Sequence, residues 1–216
     1  MIGFEKEEPI PDGPGLFRRA VFFLYLNSME PPSWPVRLNR IRQLFWLFAL
    51  LTIGYMIWAR SFLSPLTSGE IVQFEIAKTV DKAQHIIKDW KDTGKFEKGV
   101  KSTYLSYFFI VLYTLSIGLG CRFVSACTGN DILIKGGRGF AWLIIIATIS
   151  DIVENIALSR TLSGHISQVN LLLAYNLARI KFSIVIVCLL FILACALYWA
   201  IGKIAQKDNR SFFRRE

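Results

Sequence analysis

Hydrophobic positions along the chain fall into four long runs that are separated by charged stretches. A helix that crosses a hydrocarbon core of roughly 30 Å needs about 20 predominantly apolar residues, and each run approaches or reaches that length. The pattern therefore predicts an all-α, polytopic membrane protein whose membrane domain, residues 43–205, is a four-helix transmembrane bundle. The predicted spans cover approximately residues 43–60, 102–122, 139–159 and 182–203.

Two shorter segments flank this domain. Residues 1–42 are predicted to be a cytoplasmic lead-in, and residues 206–216 a basic tail. Within the lead-in, residues 16–27 are apolar around an arginine pair but too short to span, so we predict an amphipathic helix in the headgroup plane. Lys181 lies between two apolar runs, which predicts a helix break or a headgroup-level position just before the fourth span.

The loop between the first two spans has a helical pattern from about residue 68 to 92. Ser68 is a candidate N-cap and Glu70 falls in the first turn. One interpretation is an amphipathic helix that lies on the outer membrane surface or caps the bundle. The other is a helix that carries Glu75 and Thr79 over a cavity among the spans. Its apolar stripe comprises Val72, Ile76, Val80, Ala83, Ile87 and Trp90.

Charge and composition narrow the class of protein. The chain of 216 residues is 53% hydrophobic and has four cysteines, which excludes disorder and a disulfide-rich secreted module. Lysine and arginine exceed the acids by 25 to 16. Their distribution favours both termini in the cytoplasm. Since no organelle-targeting segment is visible, the bacterial inner membrane is the expected location.

The net charge of +9 is explained by anchoring to anionic lipid headgroups. A nucleic-acid partner is not predicted, because a basic face with a recognition motif is missing from the sequence. We expect membrane lipids as partners, with a homo-oligomer or another membrane protein as further candidates.

Two acids inside the third predicted span are the most informative residues. Asp151 and Glu154 lie roughly 3 Å and 7 Å from the middle of that span, at about 1.5 Å per residue. A charge at such depth costs at least ~2.5 kcal/mol unless it is paired. The spacing puts both acids and Asn155 on one side of the helix, with Thr148 a turn earlier. That side must face the bundle interior or a water-filled cavity.

Three interpretations of these acids remain open. They could form a structural clamp, bonded to Tyr113, Ser116 or Thr148 or paired with Arg160. They could bind an ion, a proton or a polar headgroup. They could also act as a general acid and base on a membrane substrate, although no nucleophile accompanies them.

Neither a metal site nor a cofactor is predicted. His85 and His165 are isolated, and the spacings typical of zinc or haem ligation are missing from the sequence. The pair Gly118 and Gly120 lacks the setting of a dinucleotide loop and indicates close helix packing instead.

Three stretches resemble uncharacterised bacterial four-span membrane proteins. These are FEIAKTVDKAQHII at 74–87, YFFIVLYTLSIGLGCRF at 107–123 and ISDIVENIAL at 149–158. The shared features are an FExAxT-type outer helix and a DxxEN-type third span, over about residues 70–200. The resemblance implies no activity, but it implies that a common set of residues acts together. That set is Glu75, Thr79, Asp151, Glu154 and Asn155.

The favoured function is non-enzymatic. We expect a small membrane protein that binds a lipid-like or amphiphilic ligand, or a membrane partner, through a polar pocket formed by these residues. One alternative is an intramembrane enzyme that acts on a lipid with Asp151 and Glu154 as acid and base. The other is a proton-coupled carrier that works as an oligomer.

Overall fold

The computed structural model describes the backbone of residues 36–213 and the side chains of residues 38–204. All regular secondary structure in that part is helical, which confirms the predicted all-α class. The amphipathic helix predicted at 16–27 lies outside the described residues. The helices are α1 (Val36–Leu63), α2 (Ser68–Glu75), α3 (Val80–Asp92), α4 (Phe96–Cys127), α5 (Asp131–Leu162) and α6 (Gln168–Phe213).

Four of the helices, α1, α4, α5 and α6, are long and apolar enough to cross a membrane. Each contains one of the four predicted apolar segments, so the number and order of the helices long enough to span are as predicted. The helices extend beyond the predicted bounds at both ends, because charged residues at a span's end can continue the helix while their side chains reach toward water.

Contacts between successive long helices show that they run antiparallel. The hydroxyl of Thr114 on α4 is 2.6 Å from that of Thr148 on α5, and Tyr113 bonds further along α5, at Asp151. On α1, the Tyr55 hydroxyl donates to the carbonyl of Leu105 on α4 at 2.8 Å. The connections from α4 to α5 and from α5 to α6 are short, which favours an up-and-down arrangement of these three helices.

Glycines permit close contacts between α4 and its neighbours. A Cβ added at Gly120 would lie 3.0 Å from the ring of Phe45 and 3.1 Å from Ile192, and one at Gly118 would lie 3.4 Å from Ile144. The contacts at Gly120 support the predicted close helix packing, whereas the contact at Gly118 is an ordinary one.

Helix α1 sits at the periphery of the bundle. None of the residues in its most apolar stretch is buried, and large side chains such as Trp46, Leu50 and Ile57 are at least half exposed. In the part of the chain that the structure describes, its extensive contacts are with α4. Its outer face is therefore available to lipid or to a partner.

The predicted loop helix at about 68–92 is wrong in one respect: the segment forms two helices. Helix α2 ends at Glu75 and α3 starts at Val80, with Thr79 in an extended conformation as the N-cap of α3. The Thr79 side chain accepts from the backbone N–H of Lys82 and stabilises the new helix start. The N-cap of α2 is Thr67 rather than Ser68, in a capping box with Glu70.

Helices α2 and α3 cap the outer-loop end of the bundle. Phe74 of α2 and Trp90 of α3 pack on each other with ring centroids 5.2 Å apart, in a core shared with Leu158 of α5 and Leu171 of α6. These buried contacts support the capping interpretation over a helix that merely lies on the membrane surface.

The break predicted at Lys181 is also wrong. Helix α6 passes through this residue without interruption, and Lys181 is only 6% exposed. The helix continues because Lys181 lies on the buried stripe of α6, where its charge is paired. Members of that stripe recur at helical spacing: Leu171, Ala174, Ala178, Lys181, Cys188 and Cys195.

A candidate ligand site: a buried ion cluster beside an apolar cleft

Lys181 is the centre of a buried ion cluster that joins three helices. We define this cluster as Lys181 of α6, Asp151 and Glu154 of α5, and Glu75 of α2. The lysine Nζ donates to Asp151 Oδ1 at 2.9 Å, to Glu154 Oε1 at 3.0 Å and to Glu75 Oε2 at 3.5 Å. An ammonium group has three N–H donors, so the three carboxylates use all of them.

Asp151 has the most complete set of partners in the ion cluster. Besides Lys181, its carboxylate accepts from the Tyr113 hydroxyl at 2.9 Å and from the Asn155 amide at 2.9 Å. The same amide also donates to the Asp151 backbone carbonyl at 2.9 Å. Charge-assisted bonds of this kind are the strong ones, so the Asp151 side chain is held firmly in the ion cluster.

The carboxylate of Glu154 has fewer hydrogen bonds than that of Asp151. Its side chain is fully buried, and Lys181 is the donor to Oε1. Its Oε2 atom lies 2.9 Å from the same lysine nitrogen, yet without the geometry of a hydrogen bond. One ammonium group cannot direct separate N–H bonds well to both oxygens of Glu154 while it also serves two other acids.

Glu75 approaches the ion cluster from the capping helix α2. Its side chain is 13% exposed, and its contact with Lys181 is the longest of the three. Burial raises the pKa of Glu75 above its usual range; Lys181 opposes this rise and the nearby Asp151 adds to it. Glu75 is thus the member of the ion cluster that is held least firmly.

The charges in the ion cluster do not balance. Three carboxylates face one ammonium group, which leaves a formal charge of −2 when all four groups are ionised. Uncompensated charge is costly away from water, so such a cluster favours binding a proton or an additional positive group.

The structure brings together four of the five predicted site residues: Glu75, Asp151, Glu154 and Asn155. It does not bring Thr79 to them, because that side chain is exposed and caps α3.

The structure also shows which of the predicted partners bond Asp151 and Glu154. Tyr113 bonds Asp151 as expected, whereas Thr148 bonds Thr114 and the backbone of Ile144. The cation that pairs with the acids is Lys181 rather than Arg160, which is exposed.

Lys181 is the residue that the sequence interpretation missed, although a signal was present. It lies seven residues before Cys188 and fourteen before Cys195, two cysteines that share one face of the fourth span. A lysine on the same face as these small apolar residues points inward. An intramembrane charge usually has a partner of opposite sign, and the unpaired acids of the third span were the natural candidates.

An apolar cleft adjoins the ion cluster at Glu75. It lies between the end of α1, helix α2 and the first half of α4, and it has a volume of about 240 Å³. We call it the α1–α4 cleft. Its apolar lining includes Met56, Leu63, Ile71, Val72, Leu105 and Phe109.

The charged residues that line the α1–α4 cleft are Arg60 and Glu75. Arg60 is exposed, and it also borders a shallow depression formed by the turn from Ser64 to Gly69. Glu75 is mostly buried and contacts the ion cluster. Arg60 therefore marks the outer side of the cleft and Glu75 its inner side.

Among the described residues, the structure contains no group of three or more His, Cys, Asp or Glu side chains arranged to hold a metal ion. The lysine nitrogen occupies the point on which the three carboxylates converge.

Comparison with known proteins finds no family model, no curated protein and no solved structure that matches the chain. The resemblance to four-span bacterial proteins therefore stays a prediction.

Proposed function

We propose that the protein binds a lipid-like, amphiphilic ligand in the α1–α4 cleft, within a bacterial inner membrane and with both termini in the cytoplasm. The observation that carries the proposal is an apolar cleft whose wall includes Glu75, a member of the buried ion cluster. A concave, mostly apolar site with a few converging polar groups is typical of a small-molecule site. The apolar walls would hold an acyl chain, and Arg60 and Glu75 would meet a headgroup.

The burial of the acids does not favour the enzymatic alternative. Asp151 is 5% exposed and Glu154 is fully buried. A general acid or base must come within hydrogen-bond reach of its substrate. The role that we assign to Asp151 and Glu154 is to hold Lys181, and through it Glu75, in place.

One observation favours a second candidate, the proton-coupled carrier. The surplus of two carboxylates over the single ammonium group gives the ion cluster the capacity to take up a proton. A dye-filled proteoliposome assay tests this candidate: coupled proton uptake should occur with the native protein and be lost in Asp151→Asn/Glu154→Gln.

A pair of valine variants tests the proposed site. Val72 lines the α1–α4 cleft and is 38% exposed, so a tryptophan there can fill the cleft without displacing the core. Val169 is 73% exposed and does not line the cleft, so Val169→Trp is the matched control.

Native mass spectrometry of the full chain, titrated with a neutral monoacylglycerol, gives the readout. We expect one saturable adduct per chain for the native protein and for Val169→Trp, and a loss of that adduct in Val72→Trp. Equal adduct formation in all three proteins would overturn the proposal.

A further inference from the structure

The α1–α4 cleft carries charges of opposite sign on its two sides. Arg60 stands on the outer side, where it is exposed, and Glu75 stands on the inner side. Both charges are fixed to helices that the bundle holds, Arg60 to the last turn of α1 and Glu75 to the last turn of α2. The lining of the cleft therefore offers a ligand one group of each sign.

The negative charge on the inner side of the cleft comes from Glu75 and from the ion cluster behind it. Glu75 shares Lys181 with Asp151 and Glu154, and those two acids hold the lysine at 2.9 to 3.0 Å while Glu75 is 3.5 Å away. The ammonium charge is thus already balanced by Asp151 and Glu154, with one negative charge to spare. Glu75 has the longest of the three contacts with Lys181, so its carboxylate is the one best placed to receive a second positive group.

The positive charge of Arg60, on the outer side of the cleft, is not paired with a carboxylate among the described residues. In the part of the chain that the structure describes, the ion pairs involve lysines, and no carboxylate lies within 4 Å of the Arg60 guanidinium. The turn beside Arg60 supplies hydroxyl groups, from Ser64, Thr67 and Ser68, that border the same depression. Arginine presents a planar set of donors that suits phosphate and carboxylate groups.

We infer that the ligand of the α1–α4 cleft has a zwitterionic headgroup, with an ammonium group bound at Glu75 and a phosphate or carboxylate group bound at Arg60. This inference rests on the proposed function and names its ligand class. A purely anionic headgroup would meet Glu75 and the surplus charge of the ion cluster, and a purely cationic one would meet Arg60. A zwitterion satisfies both sides, which is how a site rejects ligands of a single charge.

The test uses four single-chain amphiphiles with the same acyl length. They are a lysophosphatidylethanolamine (zwitterionic), a lysophosphatidic acid (anionic), an alkylamine (cationic) and a monoacylglycerol (neutral). Affinities are measured by native mass spectrometry with the full chain and with the variants Glu75→Gln and Arg60→Gln. Glu97→Gln and Arg138→Gln are the charge-matched controls, because both residues are exposed and neither lines the cleft.

For the native protein we expect the zwitterion to bind most tightly. Loss of a hydrogen bond to a charged group lowers affinity by about tenfold or more. Glu75→Gln should weaken the zwitterion and the alkylamine by that factor but not the anion. Arg60→Gln should weaken the zwitterion and the anion but not the alkylamine, and the two control variants should bind like the native protein.

The outcomes separate this inference from the proposed function. If all four amphiphiles bind equally and neither variant changes their order, while Val72→Trp still blocks binding, the zwitterion inference fails and the proposed site stands. If Val72→Trp blocks none of them, the proposed site fails as well. A preference for the anion or for the alkylamine in the native protein would also overturn the inference.

Discussion

Lys181 of α6 and Asp151 of α5 form the central ion pair of the protein, with 2.9 Å between Nζ and Oδ1. The two residues are thirty positions apart in the sequence, on antiparallel helices joined by a short turn. Both side chains are more than nine-tenths buried. The pair joins α5 to α6 next to Glu75, which lines the α1–α4 cleft.

Removal of the lysine should destabilise the protein strongly. Lys181→Met leaves three carboxylates together without a cation, and breaking a buried ion pair on one side costs about 3–5 kcal/mol. Arg179→Met is the matched control, because Arg179 is exposed on the same helix and loses only a contact with the Tyr175 ring, so its substitution should cost less than about 1 kcal/mol.

Denaturation in mixed micelles measures both free energies of unfolding. The triple variant Lys181→Met/Asp151→Asn/Glu154→Gln should recover part of the lost stability, since it removes the unpaired charges as well. A Lys181→Met protein as stable as Arg179→Met would contradict the pairing.

The two acids of α5 should differ in their tolerance of neutralisation. Asp151→Asn puts an amide among the donors of Tyr113, Asn155 and Lys181, and we expect a cost of about 1–3 kcal/mol. Glu154→Gln removes one of the surplus charges and disturbs fewer hydrogen bonds, so its cost should be clearly smaller. The same unfolding assay compares them, and a larger loss for Glu154→Gln would refute this ranking.

Glu70 should make the stability depend on pH in the acidic range. Its carboxylate accepts from Lys95 Nζ at 2.6 Å and from the Thr67 backbone N–H at 2.8 Å, and these bonds lower its pKa from 4.5 to about 2. A lowered pKa means that the stabilisation is fully present above about pH 4.5 and is lost as the pH falls through about 2.

The thermal unfolding midpoints of the native protein and of Glu70→Gln, measured over a series of pH values, test this direction of pH dependence. The gap between the native protein and the variant should be largest near neutral pH and should close toward pH 2. Glu97→Gln is the control: that side chain is 85% exposed and lies 3.6 Å from Lys101, so it should show almost no gap. A gap that widens on acidification would show that the sign is wrong.

Adjacent glycines of α5 should respond very differently to alanine. A Cβ at Gly137 would lie 2.6 Å from the carbonyl oxygen of Cys121 and 2.7 Å from Cβ of Ser125, both on α4. The helices must separate to admit it, and overpacking of this kind costs about 1–3 kcal/mol.

Gly136→Ala is the matched control for this contact. A Cβ at Gly136 would meet the ring of Phe191 at 3.4 Å, an ordinary contact, and alanine favours the helix by up to about 1 kcal/mol. Unfolding free energies should therefore fall for Gly137→Ala and stay level or rise for Gly136→Ala. Equal effects at the two positions would contradict the close approach of α4 and α5.

Much of the candidate site followed from two acids in an apolar run. Asp151 and Glu154 had to face inward because charge is costly in hydrocarbon, and the helical spacing carried Asn155 with them. Glu75 was identified by its place in the outer-loop pattern. Thr79 was grouped with it on the same grounds, but the structure uses Thr79 as an N-cap. A single sequence does not distinguish a threonine that caps a helix from a threonine that belongs to a polar site.

The sequence by itself determined four long apolar helices and their order, because a hydrophobic run of this length satisfies its backbone hydrogen bonds within the run when it is helical. It also determined that the polar side chains of the third predicted span face the interior of the bundle. Only the tertiary structure decided which residues meet them. The partner of Asp151 and Glu154 depends on the rotation and depth of α6 against α5, which packing sets and local sequence does not. The α1–α4 cleft likewise depends on how α1, α2 and α4 pack together, which places Glu75 both in the lining of the cleft and beside Lys181.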